Sequence, residues 1–249
     1  MPSHYDDSSF SYADYWQGRD YEHASEILAL TRFLDHMHFA SAADIGGGYG
    51  RLTSFLVNYA NRIFLVEPSA KQRRQAEKIL SSKSKIALLP GTAQKTGLPN
   101  ASQDLIIMIR VMHHLPEPQV AFQELYRILD PQGLLIIEFA NSHHFKARLK
   151  SFLSGQPILP TPIEKRSPTN IKKHTIPFVN HSPVTIKKQL SHAGFSVEKI
   201  LSVSNLRSPF LKSFIPFSLL ITIERFLQPI LASNFFGPSI FILARKIDI

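Results

Sequence analysis

The run Ala42-Ala43-Asp44-Ile45-Gly46-Gly47-Gly48-Tyr49-Gly50-Arg51 reads as a short apolar strand that turns sharply into a helix. Glycines at 46, 48 and 50 let the backbone take a tight turn and come close to a ligand, which a side chain at those positions would prevent. The spacing Asp-x-Gly-x-Gly-x-Gly is not the dinucleotide fingerprint, because the sixth position counted from Gly46 is Arg51 rather than glycine. A pyrophosphate seeks a helix amino terminus. A carboxylate at Asp44 instead suits a nucleoside that carries an ammonium and no phosphate, met directly or through water.

Outward from this turn, short apolar runs alternate with amphipathic stretches, the pattern of a parallel sheet covered by helices. Strands are expected at 42–45, 62–67, 85–89, 104–109 and 133–139, and helices at 51–60, 70–81 and 118–129. Asp130-Pro131-Gln132-Gly133 should close the last of these helices. Beyond it, a helix over 184–193 stopped by Gly194 leads to a strand at 196–203, and another strand is expected at 239–244. The expected fold is therefore α/β, a doubly wound seven-stranded mostly parallel sheet in a single domain spanning 1–249, with a helical lid and cap insertions.

Within that domain, residues 1–40 form the lid, where Tyr12, Tyr15, Trp16, Arg19 and Tyr21 precede a helical pattern through Leu34. Residues 41–140 form the core and 141–183 an insertion, whose stretch 155–183 carries Pro157, Pro160, Pro162, Pro168, Pro177 and Pro183, which interrupt regular structure there. Residues 184–249 complete the sheet and carry an apolar cap over 206–238. Lys212, Pro216, Glu224, Arg225 and Pro229 break that cap, so it falls short of the ~18 unbroken apolar residues of a membrane span.

Composition narrows the chemistry further. The 249 residues contain no cysteine, which removes disulfides, zinc-thiolate centres, iron-sulfur clusters and cysteine nucleophiles. A hydrophobic share of 44% with 19% charged residues is that of a chain with a core to bury. The formal charge of +9 favours anionic partners, but it is spread over short clusters such as Lys187-Lys188 that read as solvated helix faces. The amino terminus lacks a basic stretch followed by an apolar one, so a cytoplasmic location is expected. His36/His38 and His143/His144 lack carboxylates at useful spacing, and no metal site is expected.

One β-α unit after the glycines, Ile63-Phe64-Leu65-Val66 ends in Glu67, placed to accept hydrogen bonds from both ribose hydroxyls. Together, Asp44, Gly46, Gly48, Gly50 and Glu67 resemble the Rossmann-like class I S-adenosylmethionine-dependent methyltransferases, in particular the branch that includes ubiquinone and menaquinone methyltransferases. The resemblance covers residues 40–140. It implies S-adenosylmethionine as cofactor, with the glycine turn at its methionine part, Glu67 at the ribose and the loop after the third strand, Thr92-Ala93, at adenine. Thr92 stands where family members often carry an acid. Arg110-Val111-Met112-His113-His114-Leu115 is similar to the family segment in which a backbone carbonyl meets the methionine ammonium, which assigns Arg110 to the cofactor. Arg19 is expected at the cofactor's carboxylate.

Methyl transfer from a sulfonium needs mainly positioning and exclusion of water. If the acceptor is a hydroxyl or an amine, His113 or His114, at the exit of the fourth strand, is the candidate base. The acceptor itself is expected to be a small or lipid-like molecule, partly apolar and anionic, admitted between the proline-rich insertion and the apolar cap. Three other readings stay open at this point. One is a catalytically silent cofactor-binding accessory protein. Another is a nucleic-acid methyltransferase, which the charge favours and which the absence of an Asn/Asp-Pro-Pro-Tyr/Phe segment argues against. The third is a nicotinamide oxidoreductase, opposed by the glycine spacing. For the apolar cap, two amphipathic helices folded onto the domain or onto a second subunit stand against a peripheral membrane contact.

Overall fold

The computed structural model describes residues 16–173 and 175–247. Tyr12 and Tyr15 of the expected lid lie outside them. The strands are β1 (Phe39–Ile45), β2 (Ala60–Val66), β3 (Ile86–Leu89), β4 (Gln103–Met108), β5 (Leu129–Ala140), β6 (Ile163–Glu164), β7 (Val179–Asn180), β8 (Phe195–Val203) and β9 (Ser239–Lys246). Seven of them form one sheet in the order β3-β2-β1-β4-β5-β9-β8. Strands β1 to β5 run parallel, and β9 is antiparallel to both of its neighbours. The sheet matches the expected α/β architecture strand for strand.

The helices are α1 (Asp20–Leu34), α2 (Thr53–Leu56), α3 (Ala70–Leu80), α4 (Gln119–Ile128), α5 (Phe145–Ser154), α6 (Pro168–Lys172), α7 (Pro183–His192), α8 (Pro209–Phe214) and α9 (Phe217–Ile230). Side chains alternate across the sheet, as a period of two requires. Along β4, Ile106 and Met108 join Phe122, Leu125, Ile186 and Leu190 on the face covered by α4 and α7. Leu105 and Ile107 join Leu30, Phe33, Leu34 and Leu56 on the opposite face, covered by α1 and α2. Both faces are buried, which is why these strands read as continuous apolar runs.

Two local expectations are corrected. The helix expected over 51–60 is a single turn, Thr53–Leu56, because β2 already begins at Ala60 and the Phe39 N–H donates to the Tyr59 carbonyl at 2.8 Å. The segment Asp130-Pro131-Gln132-Gly133 does not precede β5 but bulges within it. Pairing shifts there from Gln103–Leu129 to Leu105–Leu134, and Gln132 takes a left-handed φ of 69°. The insertion contains a regular ten-residue helix, α5, closed by Gly155 at φ 66°. Among its described residues the remainder of the insertion carries the short α6 and the β6–β7 pair.

The apolar cap forms two helices, and Glu224, which reads as an interruption in the sequence, is what fastens the second one. Its buried carboxylate accepts from the Tyr21 hydroxyl at 2.7 Å and from the Ser204 and Asn205 N–H groups at 2.8 and 3.1 Å. Gln228, one turn on, donates to the Ser25 carbonyl at 2.9 Å. Helix α9 is thereby held to α1 and to the end of β8 by a polar network in which the Glu224 carboxylate has several donors. Among the described residues no helix is long and apolar enough to cross a membrane.

Candidate active site

Strand β1 pairs with β2 on one side and β4 on the other, so the chain leaves it in one direction and returns in the other. In open α/β sheets the crevice beyond the carboxyl ends of such a strand pair is where ligands bind. The residues in front of it are the glycine turn after β1 and the segment Arg110–Leu115 after β4. A cleft of about 220 Å³ lies there, lined among others by Gly46, Gly48, Glu67, Thr92, Ala93 and Arg110. Six of the residues expected at the cofactor therefore share one wall system.

The glycine turn explains its own composition. Gly46, Gly48 and Gly50 have φ of 72°, 57° and 89°, a region that residues with a side chain rarely adopt. A Cβ on Gly46 would overlap the Val111 side chain, and one on Gly50 would come within 2.6 Å of Leu80. Asp44 sits behind the turn rather than in the cleft wall. It is 2% exposed, and its carboxylate accepts from the Thr53 hydroxyl at 2.6 Å. Burial pushes the Asp44 carboxyl up to about 6, against the downward pull of Thr53 and Arg51.

Glu67 is in the wall. One carboxylate oxygen accepts from the Gly48 N–H at 3.1 Å and the other from the Ser69 N–H at 2.8 Å. These bonds tie the second strand's acid to the glycine turn and fix its orientation. Burial pushes Glu67 up to about 7, while the two backbone donors and Arg73 hold it down.

Beside Glu67 stands a residue that sequence reasoning missed. Ser69-Ala70-Lys71-Gln72 has the form of a capping box, and the Ser69 hydroxyl does accept from the Gln72 N–H at 3.1 Å. The reciprocal half of the box would use the Ser69 N–H, but Glu67 already accepts from it. The Gln72 carboxamide is left lining the cleft, 1% exposed, with neither of its polar atoms hydrogen-bonded within the protein. A buried amide in that state costs about 1–3 kcal/mol unless a ligand completes it. The glycine cradle, the ribose-type acid and this orphaned amide together fit an adenosyl group with a methionine tail.

Behind the cleft, Glu26 of α1 is a second group that the sequence did not mark. It is fully buried and forms ion pairs with Arg51 at 2.6 Å and with Arg110 at 2.6 Å. Burial alone would raise its pKa, but the two guanidinium groups hold it below the usual carboxylate range. Trp16 stacks on Arg51, 3.6 Å from the guanidinium carbon to the ring centroid. The lid thus reaches the glycine turn through Trp16, Arg51 and Glu26. Arg110 carries a left-handed φ of 62°, held by its own N–H donating to Glu138 at 3.0 Å. Strain of this kind outside glycine concentrates where a backbone group is aimed at a ligand.

A second cavity of about 720 Å³ continues from the cleft, with Arg110, His114 and Ile176 in both walls. Arg19 lines this cavity, not the cofactor cleft. Both candidate histidines line it as well. The His114 Nδ1 lies 2.8 Å from the Pro177 carbonyl, which can only accept, so that nitrogen carries the proton and Nε2 is the basic nitrogen of the neutral ring. His113 packs edge-on against His114, with centroids 4.0 Å apart, and beside Phe178 at 4.8 Å. Burial keeps His113 well below the usual histidine range, with the Arg110 charge, and His114 whenever that ring is protonated, acting the same way, so that His113 is neutral. His181, buried and donating to the Met112 carbonyl at 2.9 Å, anchors the turn beneath them.

Residues 43–137 match a family model described as a methyltransferase domain. No curated protein is similar enough in sequence to match. Among solved structures, an S-adenosylmethionine-dependent methyltransferase from Thermotoga maritima is 20% identical, with 94% of each chain covered and a TM-score of 0.63. One from Mesorhizobium loti is 17% identical over 89% of this chain and 98% of that one, with a TM-score of 0.62. The cyclase SpnF is 16% identical over 90% of this chain and 81% of that one, with a TM-score of 0.61. At such identities these structures speak for the fold. The matched segment runs from the residue before Asp44 to the middle of β5 and takes in the glycine turn, Glu67 and the Arg110 segment. Residues 43–137 thus match a methyltransferase domain, set in the fold that these S-adenosylmethionine-dependent methyltransferases of known structure share.

Proposed function

We propose that the protein methylates a small, anionic and partly apolar acceptor bound in the cavity that continues from the cofactor cleft. The observation that carries this reading is the cavity's wall. Among the described residues, Arg19, Arg110, Arg207 and Lys212 line it together with two acids, Glu22 and Glu138. Lys212 forms an ion pair with Glu22 at 3.1 Å, Arg110 is held by Glu26 behind the wall, and the Glu138 carboxylate accepts from the Arg110 N–H and the Ser239 hydroxyl. Among the described wall residues the cations outnumber the acids around a partly enclosed volume, where charge acts more strongly than on an open surface. Phe178, Ile176 and the proline rings supply the apolar part.

The cofactor, when bound, supplies a methyl group on a positively charged sulfur. This chain's residues then have four tasks. Glu67 and Gln72 hold the ribose and the adjoining nucleoside, and Thr92 and Ala93 border the adenine end. The glycine turn admits the methionine part close to the backbone, with Asp44 supporting the turn from behind and the Arg110 carbonyl serving its ammonium. Arg19, at the junction of lid and cavity, pairs with an anion there. His114, on the wall shared by cleft and cavity, takes the proton that the acceptor's hydroxyl or amine must lose, at Nε2. His113, neutral and half-buried, packs against the His114 ring rather than titrating.

The test is transfer of labelled methyl from S-adenosylmethionine to acceptor pairs that differ only in charge, carboxylic acids and their amides. The acids should be methylated in preference, and Arg207→Ala should reduce their turnover by about tenfold, the loss of one charge-assisted contact. Equal turnover of acids and amides would remove the anionic class.

A further inference from the structure

Helix α5 is amphipathic the wrong way round for a helix that packs on its own domain. Phe145, Leu149, Phe152 and Leu153 fall at i, i+4, i+7 and i+8, one stripe of a 3.6-residue helix. That stripe points outward, with Phe152 84% and Leu153 75% exposed, and the helix has no buried residue at all. Lys146 and Lys150 flank the stripe on one side and Arg148 on the other, and the helix contains no acidic residue.

Helix α8 repeats the arrangement. Phe210 and Phe214, one turn apart and in ring contact at 4.7 Å, are 68% and 72% exposed, again with no residue buried. The two helices border the same opening. His144, which caps α5, and Pro209 and Lys212 of α8 all line the acceptor cavity. The Phe145 N–H donates to the Phe236 carbonyl at 2.9 Å and their rings stack, which fixes α5 beside the cap.

An outward apolar stripe edged by cations and free of acids matches the interface of an anionic bilayer, with aromatic groups among the acyl chains and ammonium and guanidinium groups at the headgroups. We propose that α5 and α8 dock the protein on an anionic lipid surface, with the acceptor cavity opening toward it, so that the acceptor is taken from the membrane. The inference rests on the acceptor cavity of the proposed function, whose basic wall suits the same anionic molecules. A second copy of this chain is less well matched, because two such rims would bring Lys146, Arg148 and Lys150 against their own kind.

The experiment is co-flotation of the full chain with vesicles of phosphatidylcholine alone or with phosphatidylglycerol added, with S-adenosylhomocysteine binding titrated on the same sample. Binding to the anionic vesicles alone, reduced by salt, is expected. Phe152→Ser with Leu153→Ser, and separately Lys146→Glu with Lys150→Glu, should each lower the bound fraction by about tenfold, since each removes one of the two contributions to interfacial binding. All these side chains face solvent, so cofactor affinity should stay unchanged in both variants. Absence of flotation with intact cofactor binding overturns the membrane proposal alone, whereas loss of cofactor binding would count against the site. A dimer in solution that Phe152→Ser with Leu153→Ser dissociates, with no flotation, would assign the rim to a second copy and overturn it as well.

Discussion

Gly46→Ala combined with Val111→Ala dissects the contact on which the glycine turn depends. Two costs of Gly46→Ala are visible. Alanine at φ 72° costs about 1–2 kcal/mol in the left-handed region. Its Cβ would also overlap the Val111 side chain, an overpacking of about 1–3 kcal/mol, because Val111 is half-buried in the loop after β4. The single variant should therefore lose about 2–5 kcal/mol of unfolding free energy. Shortening Val111 to alanine removes the overlapping methyl and leaves the backbone strain. The double variant should accordingly recover about 1–3 kcal/mol relative to additivity. Urea denaturation of the four proteins measures this. The titration of S-adenosylhomocysteine runs in parallel, and there Gly46→Ala should weaken binding even where the protein remains folded, because both residues line the cleft. Additivity within about 0.5 kcal/mol would refute the packing of the Val111 segment over the glycine turn.

Glu67, Gln72 and Glu224 give three further expected outcomes. Ionised Glu67 is the form that accepts from ribose hydroxyls, and its carboxyl sits at about 7 in the free protein, so cofactor affinity should fall as the pH drops. Between pH 8 and pH 6 the ionised share falls from about nine-tenths to about one-tenth, a roughly tenfold weakening that a pH-independent titration would exclude. Gln72→Leu removes a buried amide without protein partners, so it should raise the stability of the free protein by about 1 kcal/mol or more while weakening cofactor binding. Unchanged affinity in that variant would place the amide outside the nucleoside's reach. Glu224→Ala strands the Tyr21 hydroxyl and the Ser204 and Asn205 N–H groups, and should cost about 3 kcal/mol or more in denaturant unfolding. A loss below about 1 kcal/mol would mean that α9 is held by its apolar contacts alone.

Features governed by local rules are legible in the sequence. The seven strands can be placed because both faces of the sheet are buried, which leaves unmixed apolar runs such as Leu105–Met108. The glycine turn is legible because Gly46 and Gly50 have backbone angles and neighbours that few other residues tolerate. Helix α5 is also within reach, since Phe145, Leu149 and Phe152 carry the period and the prolines begin only at Pro157, beyond its end.

Roles assigned by partners distant in sequence escape such rules. Glu26 is an ordinary helix residue until folding buries it between Arg51 and Arg110. Gln72 reads as half of a capping box, and only the bond from Ser69 to Glu67 shows that its side chain is released into the cleft. Glu224 looks like a break in an apolar run and is instead the centre of a buried network. Arg19 shows the same limit, because the sequence brings it near the cofactor whereas the fold sets it in the wall of the neighbouring cavity.

The measurement that bears most directly on the cofactor site is calorimetric titration of the chain with S-adenosylhomocysteine, alongside NAD, in the native protein and in Glu67→Ala. One saturable site for S-adenosylhomocysteine, none for NAD, and a loss of at least about tenfold in Glu67→Ala are predicted, since the carboxylate's charge-assisted bonds to the ribose are worth about 1.5–3 kcal/mol each. No binding of S-adenosylhomocysteine by the folded native protein, or binding that Glu67→Ala leaves within about twofold, would contradict the assignment of this cleft.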